Sequence, residues 1–172
     1  MKVTGYQLRE ALRHWVAQRE VLSTQFNESL WQFEADKNDP NFVPVNISKR
    51  YSEADDAVAT IQDAQQQFNQ KVRVKIGSKT VALSYAIKRL GGAGRLEKMW
   101  RSAATSSGDD YYGRRVETTR QADAIKAKRM VNHSDALKIA KESASFASEL
   151  RQAIALGNAQ EVDLEIDPRL FA

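Results

Sequence analysis

Cations and aromatic residues alternate through the middle of this chain, in a mixture that suits a phosphorylated ligand. Arginine and lysine side chains bind phosphate oxygens, and the faces of tryptophan and tyrosine stack on bases. The sequence therefore predicts binding of a nucleotide or a nucleic acid in this region. The candidate ligand-binding residues are Lys88, Arg89, Arg95, Trp100, Arg101, Tyr111, Tyr112, Arg114, Arg115 and Arg129. Trp100 has a second interpretation, as a residue of the hydrophobic core.

The glycine-rich run 91–94, Gly-Gly-Ala-Gly, lies between Lys88-Arg89 and Arg95. Each glycine in a helix interior costs about 1 kcal/mol, so we expect this run to break or sharply kink a helix. A turn there would expose backbone N–H groups at the start of the next helix, which is a natural anion site. The alternative is a tight turn between helices, flanked by solvated cations.

Charge is segregated along the chain although the net charge is only +4. Residues 1–70 carry 7 Lys/Arg and 10 Asp/Glu, residues 71–141 carry 17 and 6, and residues 142–172 carry 2 and 6. The basic middle should attract anions more strongly than the total charge suggests. Alternatively, the acidic segments fold over the basic one and cancel its field.

No catalytic or metal-binding pattern is found in the sequence. The chain has no cysteine, and its two histidines, His14 and His133, have no carboxylates at ligand spacing. There is no phosphate-binding P-loop, and no long apolar strand precedes the glycine run, which argues against a dinucleotide-binding fold. We therefore expect a protein that is not an enzyme and that needs no metal or cofactor.

Hydrophobic periodicity predicts a mostly α-helical fold. Thr4 and Gln7 have the spacing of a capping box, and from Leu8 to Phe33 a heptad seam continues for about seven turns. After a loop over residues 35–47, a second seam from Tyr51 to Val72 predicts an antiparallel helical hairpin. A last long helix is expected to begin near Ser134 or Asp135 and to end near residue 157.

Two short segments show strand periodicity. Residues 72–76 alternate apolar and basic side chains, and residues 162–166 alternate apolar and acidic ones. Opposite charges across a strand pair favour pairing, so we expect these two segments to form a two-stranded accessory sheet. We expect one domain over 1–172, with a hairpin (1–71), a strand, glycine-broken helix and loop (72–113), and a basic segment, last helix and strand (114–172).

The order of these elements resembles a family of small helical bacterial and phage proteins, some of them labelled septicolysin-like. The residues that carry the resemblance are Asn69, Gly77, Val81, Tyr85, Ala86 and Arg89, and the stretch from Val131 to Leu137. The resemblance implies a long hairpin, a glycine turn and a final helix, but no activity. In its general character, as a small, cysteine-free chain with a basic region, the protein is also similar to phage proteins that sequester nucleotide immune signals. It shares no sequence motif with them.

These observations lead to one functional hypothesis and two alternatives. We expect a homo-oligomeric binding protein that sequesters a phosphorylated small molecule, a cyclic or ADP-ribose-type nucleotide, without catalysis. The alternatives are a helical protein-interaction module and a nucleic-acid-binding protein. No apolar run approaches the ~20 residues that span a bilayer, and the first residues do not resemble a signal peptide. We therefore expect a cytoplasmic protein that is not in a membrane, in the bacterial host if it is encoded by a phage.

Overall fold

Four long helices dominate the computed structural model, which describes residues 1–31, 40–106 and 129–171. In chain order the elements are β1 (Lys2–Thr4), α1 (Gly5–Ser29), a 3₁₀ turn (Pro40–Phe42), α2 (Pro44–Lys71), β2 (Arg73–Ile76), β3 (Lys79–Ala82), α3 (Leu83–Thr105), α4 (His133–Asn158), β4 (Glu161–Asp163) and a 3₁₀ turn (Pro168–Phe171). The mostly helical fold with a small antiparallel β element is confirmed.

The chain divides into two compact units. Unit 1 contains residues 1–84 and 154–172, and unit 2 contains residues 85–153. Unit 1 is built on the α1–α2 hairpin and carries all four strands. Unit 2 holds most of α3 and α4, and with them the basic residues on which the functional hypothesis depends.

The first helix begins as predicted. The Thr4 side chain accepts a hydrogen bond from the Gln7 backbone N–H at 3.2 Å, and the Gln7 side chain accepts one from the Thr4 N–H at 2.9 Å. These two bonds satisfy donors that a helix start leaves unpaired. The helix then packs along α2, and the predicted hairpin is confirmed.

A polar pair lies within the hairpin seam, beside a small apolar cluster. Leu22, Ile47 and Ala54 are buried there against Trp15. Nη1 of Arg19 donates to the Asp55 carboxylate over 2.7 Å. That hydrogen bond is the main reason why the pKa of Arg19 is raised above its usual value. The pair connects α1 to α2 at one position along their axes, which helps to fix the register of the two helices.

The predicted pairing of residues 72–76 with 162–166 is wrong. β2 pairs with β3, with Arg73 opposite Ala82, and β4 pairs with β1, with Lys2 opposite Asp163. The first pairing is local, because Gly77 adopts a positive φ of 56° in the two-residue turn between β2 and β3. Closing a hairpin through a two-residue turn costs little chain entropy. This advantage is larger than the free energy that a few exposed charge pairs would contribute to the predicted pairing. Consequently α3 begins at Leu83 rather than near Thr80.

Side-chain packing closes unit 1 around the base of the hairpin. Phe68, Leu8 and Ile61 are fully buried. The Trp15 indole N–H donates to the Leu170 carbonyl at 3.0 Å, which ties the last 3₁₀ turn to α1. Gly157 lies so close to Val74 that a Cβ there would stand 2.7 Å from its Cγ1. These contacts bring the two ends of the chain together in one core.

In its described part, residues 85–106 and 129–153, unit 2 is an antiparallel pair of helices whose buried side chains are mostly small. The Arg89 guanidinium lies over the Phe146 ring, and the His133 ring contacts the Ala104 carbonyl at 2.6 Å, so the two helices run in opposite directions. Most of the buried positions are alanines: Ala86, Ala93, Ala136, Ala140, Ala147 and Ala153, with Leu150 and Ser143.

The expected break at the glycine run does not occur, because α3 is helical from Leu83 to Thr105 without interruption. Intrinsic propensity is a weak determinant of helix formation, since most helical stability in proteins comes from tertiary packing. Ala86 and Ala93 are both buried on one side of α3, and this packing outweighs the glycine penalty. Among the described residues, no helix is long and apolar enough to cross a membrane.

Candidate functional site

Three of the predicted cations meet on the exposed side of α3. Lys88 and Arg95 are seven residues apart, which is two helical turns, and so they lie on the same side of the helix. Gly91 and Gly92 lie between them on that side, and Arg89 reaches it from the flank. We call Lys88, Arg89, Gly91, Gly92 and Arg95 the glycine–arginine face.

Both guanidinium groups of this face lie close to the bare backbone of the glycines. Nη1 of Arg95 is 3.7 Å from the point that a Cβ on Gly91 would occupy, and Nη1 of Arg89 is 3.7 Å from the corresponding point on Gly92. Neither distance is a clash, so the glycines are not required by crowding among the described residues. They leave a shallow surface of exposed backbone between two planar cations.

The orientation of Arg89 is set by an aromatic ring from α4. Its guanidinium carbon lies 5.6 Å from the centroid of Phe146, within the range of a cation–π interaction. The contact supports one face of the guanidinium and leaves the N–H edges free to donate. A guanidinium held in this way has the geometry to donate two parallel hydrogen bonds to a planar or tetrahedral oxyanion.

The cations of the glycine–arginine face have no acidic partner in the part of the chain that the structure describes. Lys88, Arg89 and Arg95 form no ion pair there. The described residues of unit 2 include nine Lys/Arg and four Asp/Glu. Within the described residues, no acidic side chain pairs with these three cations, and an anion at the face could contact all of them.

Three other predicted residues are placed differently. The Arg101 guanidinium pairs with Glu97 at 2.8 Å, and the half-buried Trp100 lies on the side of α3 away from Lys88. Arg129 donates to the backbone carbonyls of Val131 at 2.5 Å, of Ser106 at 2.9 Å and of Ala103. Arg129 thus caps the C-terminal end of α3, where free carbonyls favour a cation. None of the three joins the glycine–arginine face.

The remaining predicted ligand-binding residues lie outside the described part of the chain. They are Tyr111, Tyr112, Arg114 and Arg115. The stacking interactions expected of the two tyrosines therefore stay a prediction.

The predicted mode of anion binding, by backbone N–H groups at a glycine turn, is wrong. It required free N–H groups at the start of a second helix, but in the continuous helix α3 the N–H groups at 91–94 lie inside the helix. Interior N–H groups donate to the carbonyls four residues earlier. Any anion on this face must be bound by side chains, with the glycines giving access rather than donors.

Sequence reasoning missed two residues that shape the unit. Phe146 positions Arg89, and His133 contacts the C-terminal turn of α3 through the Ala104 carbonyl. Helical periodicity could place each residue on a face of its own helix. It could not show which residues of the other helix lie opposite.

Metal binding receives no support from the described residues, which contain no group of three His, Asp or Glu side chains close enough to hold an ion. Comparison with known proteins gives no further guide to the site. No protein-family model matches this chain, and the searches of curated proteins and of solved structures found no match either. The septicolysin-like resemblance therefore stays a prediction, and the function must be argued from the geometry of the glycine–arginine face.

Proposed function

We propose that this protein is a homo-oligomeric binding protein that sequesters a phosphorylated small molecule, a cyclic or ADP-ribose-type nucleotide, without catalysis. It would act as phage proteins that capture nucleotide immune signals do. Support comes from the glycine–arginine face, where Lys88, Arg89 and Arg95 surround exposed helical backbone.

A single observation carries the proposal: glycines occupy helical positions where alanine would fit. Replacing each glycine by alanine should stabilise α3 by about 1 kcal/mol. A Cβ on Gly94 would meet no described atom within 4 Å, and on Gly91 or Gly92 only a guanidinium tip. Residues that lower the stability of a helix at adjacent positions are common at functional surfaces, where a ligand must approach the backbone closely.

The charge and shape of the face favour a phosphorylated ligand. Three cations can neutralise a ligand with two or more negative charges, such as a diphosphate or a cyclic dinucleotide. The forked donors of Arg89 and Arg95 match the oxygens of a phosphate group. The low relief left by two glycines lets a phosphate lie close to both arginines at once.

Isothermal titration calorimetry tests this proposal with cyclic dinucleotides, ADP-ribose and short single-stranded DNA. We expect Arg95→Ala and Lys88→Ala each to weaken nucleotide binding at least tenfold. Arg151→Ala, an exposed cation of α4, should not change it. Circular dichroism should show unchanged helicity in all three variants, because exposed cations contribute little to stability.

Salt dependence separates a nucleotide from a nucleic acid. Affinity for a small ligand bound by two or three cations should fall modestly between 50 and 200 mM salt, whereas a polyanion that contacts many cations loses ~10³–10⁵-fold. Tight binding of DNA alone, with that steep dependence, would replace the proposal with nucleic-acid binding. No binding to any member of the panel would refute ligand capture.

A further inference from the structure

On one side of the α1–α2 hairpin, five apolar or aromatic residues lie together and are half-buried or exposed. We propose that this side is the surface through which two copies of the chain associate. The inference rests on the homo-oligomer part of the proposed function and is independent of the ligand. We call the surface the apolar hairpin face, and its residues are Leu12, Val16, Phe26, Leu30 and Tyr51.

A groove near the loop end of the hairpin is the first observation. It has a volume of about 240 Å³ and is lined by Ser23 and Phe26 of α1 and by Ser48 and Tyr51 of α2. Phe26 is 37% exposed and Tyr51 is 38% exposed. The small side chains of Ser23 and Ser48 leave this space open, and the aromatic rings of Phe26 and Tyr51 line it.

The same side of α1 continues as an apolar stripe toward the base of the hairpin. Leu12, Val16, Ser23 and Leu30 follow one another at spacings of four, seven and seven residues, or about one and two helical turns, which places them in one row along the helix. A second groove, of about 400 Å³, is lined by Leu12 and Val16 with Arg9, Arg13, Ala17 and Glu20. The stripe from Leu12 to Leu30 is about 27 Å long at 1.5 Å per residue. Leu12 and Val16 are half-buried and Leu30 is 51% exposed, so this row offers apolar contact area at both of its ends.

Charge complementarity points to a second copy of this chain as the occupant. Arg9 and Arg13 lie along the α1 edge of the face, and Asp56 and Asp63 are exposed on α2. A two-fold axis along the hairpin would place α1 of one copy over α2 of the other, with the loop ends together. The Arg19–Asp55 pair sets the register, so Arg13 of one copy would lie within about one helical turn of Asp63 of the other.

The groove and its aromatic residues are also self-complementary. A two-fold interface uses the same patch on both subunits, so that residue i contacts j and j contacts i. Here one patch provides both the groove between two serines and the aromatic side chains that could fill a groove. The result would be a four-helix arrangement with Phe26 and Tyr51 at its centre.

Sedimentation equilibrium with the full chain tests the inference. We expect the wild-type protein to self-associate at micromolar concentration, and Phe26→Glu to weaken that association on the order of 30-fold or more, as for a central interface residue. The matched control is Val21→Glu: Val21 is 51% exposed on the opposite side of α1, and its substitution should leave the association unchanged. Equal association of the wild type and a folded Phe26→Glu variant would overturn the inference, as would a wild-type monomer.

Cross-linking provides a second test that does not require a destabilising change. The chain has no cysteine, so single cysteines can be introduced cleanly. Mixing Ser23→Cys chains with Ser48→Cys chains under mild oxidation should give a covalent heterodimer, because α1 of one copy lies over α2 of the other. Thr24→Cys, which lies off the face, should not cross-link to Ser48→Cys. Equal yields from the two mixtures would contradict the proposed arrangement.

The two proposals can fail separately. A dimer that binds no nucleotide would refute ligand capture and leave the apolar hairpin face as the interface. A monomer that binds nucleotide through Arg95 would refute this interface and leave ligand capture in place.

Discussion

The two compact units are both built on antiparallel helix pairs, but their cores use different side chains. In unit 1 the largest fully buried residues include Phe68, Leu8, Ile47 and Ile61. Among the described residues of unit 2 most of the buried positions are alanines, and Leu150 is a large buried side chain among them. Hydrophobic stabilisation scales with buried apolar area, so unit 1 should hold much more of the stability of the chain.

This difference agrees with the proposed function, in which unit 1 supplies most of the stability and unit 2 binds the ligand. Unit 1 holds both sheets, the contact between its chain ends and an ion pair in its seam. Unit 2 exposes Lys88, Arg89 and Arg95, which have no ion pair among the described residues, beside glycines that lower the stability of α3. A ligand that binds such a face returns stability to it, because binding to the folded state alone always stabilises that state.

The largest expected effect comes from phenylalanine truncation in the two units. Phe68→Ala should lower the free energy of unfolding by about 3–5 kcal/mol, since the ring is fully buried. Phe146→Ala should lower it by only about 1–2 kcal/mol, because this ring is half-buried and its further contribution is a cation–π contact. Urea denaturation followed by circular dichroism measures both values. Equal losses would show that unit 2 has a core as strong as that of unit 1.

Alanine in place of two helical glycines should have opposite effects. A Cβ on Gly157 would stand 2.7 Å from Val74 and 3.0 Å from Leu83, so Gly157→Ala should destabilise the protein by roughly 1–3 kcal/mol. Gly94→Ala should stabilise it by up to about 1 kcal/mol, because no described atom lies within 4 Å. Thermal denaturation of the two variants measures the sign of each change in stability. A loss at Gly94 would indicate that a group outside the described residues packs there.

The smallest expected effect concerns the acid sensitivity of the last 3₁₀ turn in unit 1. A side-chain hydrogen bond from Arg169 lowers the pKa of Asp167 below its ordinary value of 3.8. Because the folded pKa is lowered, this contribution to stability is present above pH 3.8 and is lost as the pH falls below that value. The NMR signal of the Trp15 indole N–H, which donates to Leu170, should therefore shift below pH 3.8. Asp167→Asn should remove the shift, and a persistent shift in that variant would assign it to another group.

Local patterns predicted the elements of this fold well and their partners poorly. The capping box at Thr4 and Gln7 and the helical hairpin depend on residues close in sequence, and the structure confirms both. Phe26 and Tyr51, which were predicted in the seams, are exposed instead. The strand partners were wrong, because the charge pattern of residues 72–76 suits any acidic strand, while the turn at Gly77 favours the nearest one. Of the ten predicted ligand-binding residues, the structure brings Lys88, Arg89 and Arg95 together.

The sequence by itself determined that the chain forms long amphipathic helices and that its middle is basic, because periodicity and charge are properties of residue order. Only the tertiary structure decided that α3 continues through its glycines, since the packing of Ala86 and Ala93 outweighs local propensity. It also decided which of the described cations are held by carboxylates or carbonyls. Arg101 and Arg129 are engaged by Glu97 and by backbone carbonyls, whereas Arg89 and Arg95 lie over bare helix. Such differences depend on neighbours that are distant in sequence, and residue order alone does not specify them.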